Sequence, residues 1–396
     1  IVKTPENCDD TKSNYEPSVI LHLKCRIADI DRSNDAWGVG NEINPEKNKE
    51  KPDVSLSDSS LNIKSTLPFK ELDEISQNDI DITKNLQIKT VCSRPYDTIL
   101  VDKMGSCYAC ECQSWLPQSV GNLQIQSLKD IIDNSKLRKH LQSSVSDETY
   151  RYCNEHQCSY IRLGKVGEGA VPKIKHLRLA IDDSCNLRCP SCRKSLIFHK
   201  EGSAYDLGVR LGNKINQWLE DCVDPIQVHI GSDGDPFASH VYRHFMENTP
   251  IKQNIKYSLL TNGLMFKDFH TKVPWVIENL NELGVSIDGA SKETYEKLRL
   301  GGRWDKINEN LKCMSDLKEK YNFRFILHFV VQKDNYHEME DIIQLGKDYN
   351  ADRVWLNKIE DWNVLSNFEE QKNLFTTKEY KNCIDKKKQI VLNQKT

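Results

Sequence analysis

His176–Cys192, HLRLAIDDSCNLRCPSC, runs from a short apolar strand into three cysteines spaced C-x-x-x-C-x-x-C. A structural zinc ion takes four protein ligands, whereas a four-iron cluster held by three thiolates keeps one iron open. The spacing of Cys185, Cys189 and Cys192 therefore favours an iron–sulfur cluster with room for chemistry. The competing reading is a zinc site completed by His199. That residue follows Cys192 by seven, an interval longer than zinc-finger spacings.

Outward from this stretch, apolar strands are expected at His176–Asp182, Ile226–Ile230, Lys256–Leu260, Leu283–Ile287, Arg324–Val331 and Arg353–Asn357. Helical periodicity fills the intervals. Leu211, Ile215, Trp218, Leu219 and Cys222 share one face, and Ile307, Leu311, Met314 and Leu317 another. Six such units predict an α/β fold, a partial (β/α)6 TIM-like barrel with a small cysteine-rich domain beside it. In parallel barrels the chemistry sits at the carboxyl ends of the strands, where the three-cysteine loop falls.

The chain has 396 residues, enough for two domains or one large barrel with an appendage. Its formal net charge of -3 gives no general reason to expect nucleic acid or an anionic membrane as partner. No apolar run reaches the length of a membrane span, and the start IVKTPENCDD does not read as a signal peptide. Opening on Ile1 fits a fragment or a processed product. Of 14 cysteines, ten lie between Cys92 and Cys222. Disulfide scaffolds are short, secreted and loop-rich, so metal ligation in a reducing cytoplasm is the expectation.

The triple-cysteine run after a first strand resembles the defining motif of the radical S-adenosylmethionine (SAM) enzymes, and later strand ends carry similar segments. Gly231–Phe237 (GSDGDPF) looks like the glycine/acid segment that receives the SAM amino group. The resemblance gives that role to Gly234 and Asp235, with Asp where Glu is more common. Thr261-Asn262-Gly263 matches a recurrent strand-end segment of these enzymes, and alone reads as a type I′ turn. Val285–Gly289 (VSIDG) is similar to the ribose-contacting strand, so Ser286 and Asp288 become candidates. Arg299 is placed to reach the SAM carboxylate or to salt-bridge a solvated helix face. Val354–Asn357 (VWLN) would pass near adenine. One departure is Ser191, where an aromatic residue is frequent before the third cysteine. His328 on the fifth strand points either into the lumen or toward the helices, a choice that alternation does not decide, and is treated as core; no acid/base residue or hydrogen donor is named.

A second cysteine set precedes the barrel. Cys92, Gly105, Cys110, the Gly121-Asn122-Leu123 turn, a short helix at Ser127–Ile132, Cys153 and Cys158 resemble the SPASM/twitch auxiliary-cluster module. The resemblance implies a second four-iron cluster on Cys92, Cys110, Cys153 and Cys158, with Cys112 and then Cys107 as alternates for Cys110. A four-cysteine zinc site would use the same residues. The module usually follows the barrel, whereas here it precedes it. Trp115 is expected to pack beneath its loop.

The expected organisation is a polar segment over 1–90 with one strand at Val19–Ile27, the auxiliary module over 91–165, the barrel over 173–363 and a helical tail over 364–396. The resemblance implies an enzyme that reductively cleaves SAM at a 4Fe-4S cluster and takes hydrogen from a peptide, protein or carbohydrate-like substrate. It also implies a reductant such as flavodoxin or ferredoxin. The reading from another class is a non-catalytic zinc or iron–sulfur scaffold that recruits partners.

Overall fold

The computed structural model describes residues 92–110, 119–153, 158, 173–360 and 364–382, all within one unit of the chain that excludes 28–89. The strand expected at Val19–Ile27 lies outside the described residues, as do Cys112 and Trp115.

Among the described residues, nine strands form one sheet in the order β3-β2-β1-β4-β5-β6-β7-β8-β9. The barrel strands are β4 (His176–Ala180), β5 (Ile226–Ile230), β6 (Ile255–Thr261), β7 (Leu280–Ser286), β8 (Arg324–Val331) and β9 (Arg353–Lys358). All five pairings among them are parallel, and β9 ends the sheet without meeting β4. The six expected strands are all present, with ends shifted by at most three residues.

These strands alternate. Leu177 and Leu179 on β4, Ile226, Val228 and Ile230 on β5, and Phe325, Leu327 and Phe329 on β8 are buried. Between them lie the half-buried Arg178, Gln227, His229 and His328. Side chains two apart share a face, so one face is an apolar core and the other a polar inner wall. The long crossover helices cover the apolar face. Ser203–Asp221 buries Leu211, Ile215 and Leu219, and Trp304–Tyr321 buries Ile307, Leu311 and Met314.

The auxiliary module is built onto the first barrel strand. A short helix α1 (Arg94–Asp97) leads into β1 (Thr98–Asp102), which pairs parallel to β4 from Thr98↔His176 to Asp102↔Ala180. Strands β2 (Ser106–Tyr108) and β3 (Gly121–Asn122) extend the sheet antiparallel. Helix α2 (Leu128–Asn134) starts where Ser127 Oγ accepts the Asp130 N–H at 3.0 Å, a serine N-cap. Helix α3 (Lys136–Ser146) follows, capped by Ser135. Covering β4 in this way removes an open edge from the barrel. No helix among the described residues is long and apolar enough to cross a membrane.

Candidate active site

Beyond Ala180 the chain leaves β4 and wraps the three cysteines into a compact loop. The Cys185 N–H donates to Ile197 O at 2.9 Å, the Arg188 N–H to Leu300 O at 3.0 Å and the Cys192 N–H to Cys189 O at 3.0 Å. Cys185 and Cys189 are buried, and Cys192 is exposed. Three N–H groups are aimed at the buried sulfurs. Leu187 N lies 3.4 Å and Asn262 Nδ2 3.6 Å from Cys185 Sγ, and Arg299 Nη1 lies 3.7 Å from Cys189 Sγ. Donors around a ligating sulfur stabilise its thiolate and tune the metal centre behind it. Without a metal, burial and then Asp235 push the Cys185 thiol up to about 11. Burial also raises Cys189, against the pull of Arg299. Metal binding must therefore displace protons here.

The cysteines open onto a cleft that Gly234, Asp235, Ser286 and Arg299 also line. Strand order explains the convergence, because these residues follow or end β4, β5 and β7 at the same edge of a parallel sheet. Gly231 and Gly234 are required by close approach. Both have positive φ, +98° and +68°. A Cβ at Gly231 would lie 2.1 Å from Leu260 O, and one at Gly234 2.7 Å from the carbonyls of Asp182 and Ser184.

Asp235 has a structural task within this loop. Its Oδ1 accepts N–H bonds from Phe237 and Ala238 at 3.1 and 2.9 Å. Its Oδ2 accepts the Thr261 hydroxyl at 2.8 Å and the Asn262 N–H at 2.7 Å. The carboxylate thus ties the end of β5 to the end of β6 and orients Asn262 toward Cys185. Burial raises the Asp235 carboxyl despite these donors. Asn262 also donates to Asn186 Oδ1 at 2.8 Å. So the Thr261-Asn262-Gly263 segment does more than turn the chain.

Asp288 and Arg299 form a buried ion pair at 2.7 Å, with side chains 5% and 12% exposed. Asp288 has φ +52° and also accepts the Val330 N–H at 2.7 Å. Arg299 does not occupy a solvated helix face. It caps Lys292–Leu298 and spans from Asp288 to Cys189. Burial opposes its charge, but Asp288 and then Cys189 outweigh that and hold its pKa above the usual value.

His328 corrects its assignment to the core. It pairs in register with Ser286, faces the inner wall and stacks on Trp355 with ring centroids 5.8 Å apart. Burial and then Arg299 lower its pKa to about 4, so it is neutral. Gly284 makes the space, since a Cβ there would lie 2.8 Å from His328 Nε2. Strand alternation carried this information, but only once the facing of Ser286 was known.

His199 does not join the cysteines. Its Nε2 pairs with Asp183 at 2.9 Å, and its backbone N–H donates to Ser184 Oγ at 2.8 Å. Asp183 also holds Lys103 at 2.5 Å. Among the described residues, no three cysteine sulfurs lie within 4.8 Å of one another.

The second set also comes together. Burial, with Cys110 and Cys158 adding, pushes the Cys92 thiol up to about 11. Burial followed by Cys110, Cys92 and Cys158 pushes Cys153 up to about 12. Cys92 and Cys153 thus each have Cys110 and Cys158 within electrostatic reach, the gathering that a four-cysteine cluster site requires. Cys107 stands apart from this set. It is fully buried in the main core and its thiol points to Gly105 O at 3.7 Å. Along the sheet, Cys92 precedes the amino end of β1 and Cys110 follows β2 toward that end, while Cys185 follows the carboxyl end of β4. A five-residue strand spans on the order of 15 Å, so the two sites lie at opposite ends of the inner wall.

Fold and site together define an α/β protein that gathers two separate sets of cysteines, and comparison with known proteins bears on what they hold. Residues 92–159 match the SPASM family, described as an iron-sulfur cluster-binding domain. The chain is 28% identical over 144 residues to a probable GTP 3',8-cyclase of Methanococcus maripaludis strain C5, covering 35% of this chain and 45% of that one. It is 24% identical over 176 residues to the GTP 3',8-cyclase of a Synechocystis strain, covering 44% and 51%. The chain thus spans about half the length of the curated relatives it matches. Solved structures with partial similarity include Streptococcus suis SuiB bound to precursor peptide SuiA, at 13% identity and TM-score 0.34 over 47% of this chain and 39% of that one. Another is anSMEcpe with bound AdoMet, at 19% identity and TM-score 0.31 over 47% and 51%. The family-model match and the curated relatives bear out the resemblance to radical SAM enzymes carrying a SPASM-type module.

Proposed function

We propose that this chain is a radical SAM enzyme. Cys185, Cys189 and Cys192 hold a four-iron cluster, and Cys92, Cys110, Cys153 and Cys158 hold an auxiliary one. Bound together, the first cluster and SAM supply a 5′-deoxyadenosyl radical that takes hydrogen from substrate. The observation that carries this reading is the meeting of three cysteines, the glycine loop, Ser286 and Arg299 on one cleft at the strand ends.

Within that cleft each residue has a part. Gly231 and Gly234 let backbone approach the cofactor closely. Asp235 shapes their loop and sets Asn262 against Cys185. Ser286 offers a hydroxyl to the ribose. Arg299 offers positive charge to the SAM carboxylate, with Asp288 holding it in place. The inner wall of the sheet, with Arg178, Gln227, His229 and His328, suits a polar substrate. We place that substrate among peptides or carbohydrate-like molecules. The name of the curated relatives adds nucleotides to those classes.

The test is SAM cleavage. Anaerobically purified protein with dithionite should form 5′-deoxyadenosine and methionine. Colourless protein that carries only zinc and leaves SAM intact would sink the reading and favour a scaffold.

A further inference from the structure

The inner wall of the sheet is basic where β4 and β5 meet. Arg178 pairs in register with His229 and His176 with Gln227, and residues paired in register share a face. His176 Nδ1 and His229 Nε2 stand 3.2 Å apart. Arg94 reaches the same place from α1. Its Nη1 donates to Thr98 Oγ1 at 3.3 Å, and Thr98 pairs in register with His176. Arg94, His176, Arg178 and His229 are all half-buried. They also act on one another, since burial and then Arg178, His176 and Arg94 lower the His229 pKa to about 3. One carboxylate lies close by. Asp97 takes the Thr98 hydroxyl at 2.8 Å and also acts on Arg138, so it does not offset both guanidinium groups of the wall.

We propose that Arg178, Arg94 and His176 seat an oxyanion of the substrate, a phosphate or a carboxylate, on the inner wall between the two cysteine sets. The inference rests on the enzyme reading above and narrows the substrate class for that wall. Guanidinium N–H pairs fit the oxygens of phosphate and carboxylate, and partial burial strengthens each bond over its worth in water. A cationic substrate group would instead meet two positive charges. Arg178, His176 and Arg94 make other contacts too, and an oxyanion adds to these, because a guanidinium carries five N–H donors. Position follows from the strands. Arg178 lies two residues before the end of β4, roughly 7 Å short of it at about 3.3 Å per residue. Arg94 acts on Cys92 as well as on His229, which puts the basic set on the auxiliary side of the wall. A seated oxyanion therefore holds the far end of the substrate and leaves the reacting C–H toward the three-cysteine cleft. The event is binding alone, with no bond formed or broken.

The test is calorimetric titration of the anaerobic holoprotein with inorganic phosphate and, separately, with acetate, at ~0.15 M salt so that diffuse attraction is screened. Wild type should bind at least one of them in the millimolar range, and the tighter of the two tells a phosphate seat from a carboxylate seat. Arg178→Gln and Arg94→Gln should each weaken that binding at least about tenfold, and Arg178→Lys, which keeps the charge, by less. Arg210→Gln, an exposed position on Ser203–Asp221, should stay within about twofold of wild type. Iron content reports the folding of each variant, and where Arg178→Gln loses iron, Arg94→Gln carries the decision. No binding of either anion by wild type, or binding by the folded Gln variants within about twofold of it, would overturn the oxyanion seat. The titration uses no SAM. A protein that binds the anion through Arg178 and cleaves no SAM would therefore sink the enzyme reading and leave the oxyanion seat standing.

Discussion

Arg299 stands between a carboxylate and a thiol, 2.7 Å from Asp288 and 3.7 Å from Cys189. Its guanidinium is buried, so the pair holds only while both partners are present. Replacing it, as in Arg299→Met, leaves Asp288 charged and unpaired, a change that costs about 3–5 kcal/mol when a buried pair is broken. Denaturant unfolding should show a loss in that range, and a loss under about 1 kcal/mol would remove the ion pair from the site's design. Gly231 makes a second prediction of this scale. Its φ is +98° and a Cβ there would meet Leu260 O at 2.1 Å, so Gly231→Ala must displace the loop. Stability should fall by about 1–3 kcal/mol and SAM affinity with it, measured by calorimetry on the same protein. Neither prediction could be made from sequence. The order of residues gave Arg299 two readings, and only the fold shows that the helix it caps turns it inward to the cysteine loop. Asp235 is similar, because its four donors come from segments that meet through the pairing of β5 with β6.

At the level of strands and helices, the limits of β5 and β8 are those expected, and Ser127 begins the auxiliary helix as expected. Apolar runs of five to eight residues between amphipathic helices leave few alternatives to parallel pairing. What the runs conceal is their second face. Strands such as HLRLA and IQVHI alternate, and the polar half of each builds the inner wall. His229 belongs to that half. Its Nε2 meets His176 Nδ1 at 3.2 Å, and burial, followed by Arg178, His176 and Arg94, lowers its pKa to about 3. The folded value lies below the roughly 6.5 of an unfolded histidine. As pH falls through 6.5 the unfolded chain takes up a proton that the folded one refuses, so stability is full above this value and declines toward pH 3. His229→Gln should flatten the fall in melting temperature between pH 6.5 and 4 relative to wild type. Parallel curves for the two proteins would show that His229 is not held neutral.

For the whole molecule, the unexpected feature is the order of modules. An auxiliary module placed ahead of the barrel could sit anywhere on the chain's surface, and sequence alone cannot say where. The β1–β4 pairing resolves this, since it fuses the module to the barrel in one sheet and directs its cysteines to the end opposite the three-cysteine loop. Cys107 and Cys110 illustrate the same limit. They lie three apart in sequence, yet one packs into the core and the other joins Cys92 and Cys153. Which cysteine faces which side is decided by the β2–β3 hairpin, not by spacing. Under the proposed assignment, the polar inner wall lies between two cluster positions with independent ligand sets. That independence is open to direct measurement. Iron and SAM cleavage should be determined together on the wild type and on C185A/C189A/C192A, both purified without oxygen. Wild type should hold about eight irons and cleave SAM, and the triple variant should keep about four while cleaving none. Unchanged iron, or SAM cleavage that persists in the triple variant, would contradict the assignment of these three cysteines.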